Sequence, residues 1–169
     1  MPSHPDFVTP LGPYWLQTRA GVIVALDTRP PENLADPILC QRVAVWLAAY
    51  FQGHFRPLDD LPLMPNGTPF QLRVWEALRE IPPGRVESYA MLASRVNSAP
   101  RAVGAALAAN PIPILLPCHR VLAANGALRG YSGAGGLESK RFLLRLEGIV
   151  EKKDGLMELI SGEWGGQSV

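Results

Sequence analysis

From Leu11 to Thr28 the chain reads LGPYWLQTRAGVIVALDT, two strand-like apolar runs parted by Arg19-Ala20-Gly21, the pattern of a β-hairpin. The next periodic stretch, ADPILCQRVAVWLAAYFQG, predicts a helix that Asp36 caps, Pro37 opens and Gly53 closes. Periodicity then stops. GHFRPLDDLPLMPNG is rich in proline and turn residues and reads as a linker between two domains. TPFQLRVWEALREIPPG restores the helical pattern, with capping-box spacing between Thr68 and Gln71 and Pro69 at the first helical position. Its apolar face is Phe70, Val74, Trp75 and Leu78, and Pro82-Pro83-Gly84 stops it.

Two short helices follow, YAMLASRV capped by Ser88 and RAVGAALAAN after an NSAP turn. The pair has the shape of a helix-turn-helix, although taken alone such a pair is more often a helical hairpin in a core. Its second helix opens on Arg101 and is otherwise Ala, Val, Leu and Gly104, so it displays almost nothing that could read base edges in a major groove. Small residues instead permit close backbone approach, as in shallow minor-groove contact. Ile112–Leu116 reads as a short buried strand or extended segment between prolines, and LAANGALRGYSGAGG as a glycine-rich loop. LESKRFLLRLEG predicts a last helix stopped by Gly148, and SGEWGGQSV a frayed tail. The expected fold is α/β, more closely α+β. A small antiparallel-sheet domain with one helix and the linker occupies 1–65, a mainly helical domain 66–150, and a tail 151–169.

Composition narrows the classes. Of 169 residues 47% are hydrophobic, enough for a core, and no apolar run approaches the roughly 20 residues of a membrane helix. Two cysteines without a recognisable signal peptide point to a reducing, cytoplasmic setting and a soluble chain. Recognisable zinc spacing is absent, which leaves His4, Cys40 and His54 as the alternative set of metal ligands. Charge is uneven: residues 1–65 carry four Arg against six acids, and 151–169 two Lys against four acids. Residues 66–150 carry nine Arg and one Lys against five acids, net +5, a modest footprint for phosphate contact or an ordinary solvated surface.

Cys40 sits inside a helix among Ile38, Leu39 and Val43, as a small hydrophobe would. Cys118 is different. It stands beside His119 and Arg120, where an imidazole or a positive charge can make thiolate accessible. A catalytic imidazole needs an orienting partner, and Glu147 on the last helix is the best candidate carboxylate.

PCHRV, preceded by NPIPILL and followed by GYSGAGGLESKRFLLRLEG, closely resembles the active-site segment of O6-alkylguanine-DNA alkyltransferases, the methylated-DNA–protein-cysteine methyltransferases. The blocks GTPFQLRVWEALREIPPGRVESYAMLA and RAVGAALAANP agree in order and spacing, so the likeness is strong over about residues 66–148 and loose before them. The resemblance implies that Cys118 accepts the alkyl group, that His119 acts on it through a water, and that Glu147 orients the histidine. Tyr89 then corresponds to the proton donor to the leaving guanine, and Arg101 to the side chain that enters the duplex when the nucleotide flips out. Asn110 corresponds to the tie between the helix-turn-helix and the active-site strand, Tyr131 and Ser132 to the closing loop, and the Val121 carbonyl to the acceptor for the guanine amine.

The implied N-terminal domain is ribonuclease H-like and the C-terminal helix-turn-helix winged-helix-like. The implied partner is double-stranded DNA with alkylated bases, met in the minor groove without sequence preference by a monomer, with no cofactor, metal or membrane involved. The reaction is one irreversible transfer from O6-alkylguanine, and O4-alkylthymine, per chain. GAGG lengthens the loop by two residues over its shortest forms, and Glu87 is expected to face solvent. Alternatives are an alkyltransferase-like protein that binds lesions without transfer, a helix-turn-helix regulator, and a Cys-His hydrolase.

Overall fold

The computed structural model describes residues 4–157; the predicted tail SGEWGGQSV lies outside the described residues. Strands β1 (Phe7–Thr9), β2 (Gly12–Arg19) and β3 (Val22–Asp27) form an antiparallel sheet in the order β1-β2-β3. Alternation buries Tyr14 and Leu16 from β2 with Ile23 and Leu26 from β3. The predicted hairpin turn is formed by Ala20 and Gly21, both at positive φ. β1 has no counterpart in the sequence reading. Helix α1 (Pro37–Phe51) starts where expected, with Asp36 Oδ1 accepting from the Ile38 and Leu39 amides at 2.8 and 3.1 Å. Its Leu39, Val43, Trp46, Leu47 and Tyr50 join the sheet residues in one core.

The proline-rich stretch corrects the linker reading. Ile23 N donates to Pro62 O and Met64 N to Ile23 O, each at 2.8 Å, so the stretch runs parallel against β3 at Leu63 and buries Leu61. Prolines lack the amide needed to extend this pairing, which is why it stops at a single bridge.

Helix α2 (Pro69–Leu78) carries both halves of its capping box: Gln71 N donates to Thr68 Oγ1 at 3.2 Å, and Thr68 N to Gln71 Oε1 at 2.9 Å. Strand β4 (Glu87–Ser88) leads into α3 (Tyr89–Arg95), and α4 (Pro100–Ala108) follows. Trp75 Nε1 donates to Ala106 O at 2.8 Å and pins α4 to α2. β4 pairs in parallel with β5 (Val121–Leu122), and α5 (Gly136–Leu146) is the last helix among the described residues. The result is the expected α+β arrangement.

Two further expectations change. Ile112–Leu116 is wholly buried but forms a tight turn rather than a strand, with Ile114 at φ +72° and Leu116 N donating to Ile112 O at 2.9 Å. Glu87 does not face solvent: its Oε1 accepts from Arg95 Nη1 at 2.7 Å and its side chain is largely covered. Beyond α5, residues 151–157 pack back on the fold: Met157 is buried and its N donates to Gly126 O at 2.9 Å. The N-terminal and C-terminal parts share one continuous core, and Leu26 N donates to Pro111 O at 2.9 Å across the join. That bond sets β3 directly against the segment leading to Cys118.

Thr68→Ala removes a side-chain acceptor from the α2 N-terminus and should lower the unfolding free energy by about 1 kcal/mol. Chemical denaturation checks it, and an unchanged midpoint would mean that the cap adds nothing to folding.

Candidate active site

Cys118, His119 and Arg120 occupy a single 3-10 turn, and all three are buried. Asn110 places this turn. Its Nδ2 donates to Leu116 O at 2.9 Å while its Oδ1 accepts from Ile112 N at 3.0 Å, closing the hydrophobic turn beneath the cysteine. Cys118 N donates to Leu116 O at 2.8 Å. The thiol reaches a cavity of about 260 Å³ lined by Tyr89, Gly104, Leu107, Ala108, Gly130, Tyr131 and Ser132. Small residues on α4 leave room for that cavity, which is below the usual few hundred Å³ of ligand clefts.

Beneath the thiol lies a buried carboxylate. Glu147, at the C-terminus of α5, has Oε1 2.7 Å from His119 Nε2. The carboxylate can only accept, so Nε2 carries the proton and Nδ1 is left as the basic nitrogen. Nδ1 has no hydrogen-bond partner among the described residues. Arg120 Nη2 donates to the same Oε1 at 2.8 Å and Arg120 Nε to Oε2 at 2.9 Å, a bidentate pair. Gly84 N adds a donor at 3.3 Å, so the Pro-Pro-Gly stop, with Gly84 at φ +81°, also serves the carboxylate. A fifth contact comes from the N-terminal part: Tyr50 Oη donates to Oε1 at 2.6 Å.

Burial raises the Glu147 carboxyl, but His119 and Arg120 outweigh it and hold the group well below the ordinary carboxylate range. Burial lowers His119 below its ordinary 6.5 against the pull of Glu147, so the imidazole is neutral at pH 7. Burial also raises the Cys118 thiol, with Asn110, Ser132 and the charge of Lys140 opposing it. Among these groups the resting state is a thiol next to a neutral base, not a standing thiolate.

The cavity mouth is a loop held by an unexpected cation. Lys140 is buried, and its Nζ donates to Val121 O at 2.7 Å, Arg129 O at 2.8 Å and Gly130 O at 3.1 Å. Burial lowers it to about 8. Tyr89 Oη donates to the same Arg129 carbonyl at 2.7 Å. Ser132 Oγ lies 3.7 Å from Cys118 Sγ, and the Tyr131 ring crosses Gly133 so closely that a Cβ there would come within 2.4 Å.

The structure therefore gathers Cys118, Tyr89, Tyr131 and Ser132 around the cavity, and His119 and Glu147 behind the thiol. It does not bring Val121 into the cavity wall: the residue is fully buried and Lys140 occupies its carbonyl. Arg101 lies outside the cavity in the first turn of α4, exposed and without an ion-pair partner among the described residues. Cys40 is half-buried, and burial with Asp6 and Asp36 raises its thiol to about 11, which fits an inert role. Sequence reasoning missed Tyr50, Gly84 and Lys140 and gave Arg120 no part in the carboxylate clamp. Tyr50 and Lys140 look like a core aromatic and a surface charge until the chain is folded.

A family profile described as 6-O-methylguanine DNA methyltransferase, DNA binding domain, matches residues 69–149. The chain is 48% identical over 111 residues to a methylated-DNA–protein-cysteine methyltransferase of Haemophilus influenzae, covering 64% of this chain and 61% of that one. This match leaves over a third of the Haemophilus protein's length uncovered. A protein of the same name from Metallosphaera sedula is 42% identical over 154 residues, 90% of this chain and 97% of its own. A DNA base-flipping protein of Thermus thermophilus is 46% identical over 147 residues, 84% of this chain and 97% of its own. Among solved structures, Mycobacterium tuberculosis OGT in complex with DNA superposes with a TM-score of 0.75 at 40% identity, over 84% of this chain and 90% of that one. With the Metallosphaera methyltransferase matched at 42% identity over 97% of its length, the chain belongs to the methylated-DNA–protein-cysteine methyltransferase family.

Proposed function

We propose that this protein repairs O6-alkylguanine, and O4-alkylthymine, in DNA by moving the alkyl group onto Cys118, once per chain. The observation that carries the reading is a buried thiol opening on a cavity of about 260 Å³ with a neutral, carboxylate-held histidine behind it. An alkyl group on O6 is out of reach inside the base stack, so the damaged nucleotide must be turned out into the cavity. Arg101, exposed at the head of α4, then enters the gap, and the small residues behind it suit a minor-groove approach.

In the transfer, His119 Nδ1 takes the thiol proton through a water, since no direct hydrogen bond joins the two residues. Sulfur attacks the alkyl carbon, the carbon–O6 bond breaks, and the departing guanine gains a proton from Tyr89. The proton lost by the thiol balances the one the guanine gains, and the C–S bond remains. Tyr89 must exchange its Arg129 partner for the base, while Tyr131 and Ser132 close over it. A thioether has no route back to thiol at this site, so the protein is consumed. No cofactor enters this scheme.

The resemblance to the Thermus base-flipping protein favours a second reading, lesion binding without transfer. Intact-protein mass after mixing with methylated duplex separates the two. We expect a gain of one methyl group, stopping at one per chain and absent in Cys118→Ser, which should still bind the duplex. No gain in the wild-type protein, or the same gain in the serine variant, would overturn transfer to Cys118.

The pH dependence has a defined sign. Because burial lowers His119 from its ordinary 6.5, the base stays unprotonated below that value. The transfer rate should therefore hold as pH falls through 6.5 and decline only at lower pH. Single-turnover rates across that range test this, and a half-loss centred at 6.5 would mean a solvated histidine.

A further inference from the structure

Every donor to Glu147 but one comes from the C-terminal part of the chain. His119, Arg120 and Gly84 surround the carboxylate from the 3-10 turn and the loop after α2. The exception is Tyr50, 97 residues away in sequence on α1. Its hydroxyl donates to Oε1 at 2.6 Å and lies 3.4 Å from His119 Nε2, on the oxygen that the histidine shares. The ring is held firmly: it stacks on Trp46 with centroids 5.1 Å apart and meets Phe51 and Phe55 at 5.4 Å. Burial, then the Glu147 charge, pushes the phenol far above its ordinary range, so it remains a neutral donor.

We propose that Tyr50 is a positioning residue for alkyl transfer, the contribution of the N-terminal part of the chain to the reaction. The physical need for it lies in the competition for Glu147. Arg120 binds both carboxylate oxygens with a full charge and would draw the group toward itself. A neutral hydroxyl donating to the oxygen that His119 shares helps hold Oε1 at His119 Nε2 without adding charge that would further disfavour the imidazolium. Restraining the carboxylate restrains the imidazole, and with it the direction in which Nδ1 presents its lone pair. Tyr50 touches neither thiol nor base, so it acts only through Glu147 and His119.

This inference rests on the alkyl-transfer reading, and the test is built to separate the two. Tyr50→Phe keeps the aromatic packing and deletes the donor; Trp46→Phe weakens the packing and keeps it. Each variant is compared with wild type for single-turnover transfer from methylated duplex and from free O6-benzylguanine, and for the NMR signal of the His119 Nε2 proton. Tyr50→Phe should react about tenfold more slowly with both substrates, as loss of a supporting hydrogen bond typically does. Its duplex affinity should be unchanged and its Nε2 proton signal displaced or broadened. Trp46→Phe should lose stability yet keep the wild-type rate. A wild-type rate and signal in Tyr50→Phe would overturn the assignment, and equal slowing in Trp46→Phe would reduce Tyr50 to packing. Should the Phe variant not fold, 3-fluorotyrosine at position 50 alters the donor within the same packing, and an unaltered rate and Nε2 signal would likewise overturn it. Failure of the wild-type chain to take up any alkyl group would defeat the transfer reading itself, and this proposal with it.

Discussion

A carboxylate buried as deeply as that of Glu147 is held by a set of donors that no single element could supply. His119, Arg120, Gly84 and Tyr50 converge on two oxygens from the 3-10 turn, the loop after α2 and α1. Stripping one charged partner from such a buried pair costs about 3–5 kcal/mol. The arrangement is therefore a constraint on the whole fold as much as a site feature. It requires α5 to end at Glu147, Gly84 to adopt a left-handed conformation, and α1 to pack where Tyr50 can reach across.

The same constraint accounts for how a raised thiol could react in the proposed transfer. Burial works against thiolate at Cys118, and no neighbouring charge reverses that. In the proposed transfer, reactivity depends on a base that is neutral and oriented, which is what desolvation and the carboxylate together make of His119. Lys140 applies parallel logic to the loop at the cavity mouth, tying β5 to Arg129 and Gly130 through three carbonyls. One buried anion holds the base side of the site, and one buried cation holds the entry side.

Features set by neighbours in sequence were legible before folding. The caps at Asp36, Thr68 and Ser88 and the stop at Gly148 depend on a few consecutive residues, and they stand where the pattern put them. Cys118, His119 and Glu147 were legible through their resemblance to a long ordered motif. What escaped depends on partners distant along the chain. Tyr50 is one aromatic among several on an apolar helix, and only the approach of α5 gives its hydroxyl a role. The proline-rich stretch looked like a linker because its single bridge to β3 leaves no periodic trace. Ile112–Leu116 looked like a strand because burial alone cannot distinguish an extended run from a tight turn closed by Asn110.

The account stands on Glu147 acting through His119, so the most direct measurement is the transfer rate of Glu147→Gln set beside its affinity for the same duplex. An amide in that place keeps the size but must turn an NH2 toward donors, loosening the histidine and lowering its basicity. The transfer rate should fall by about 10- to 100-fold with duplex affinity unchanged. A wild-type transfer rate in that variant would contradict it, and the carboxylate would then be structural alone.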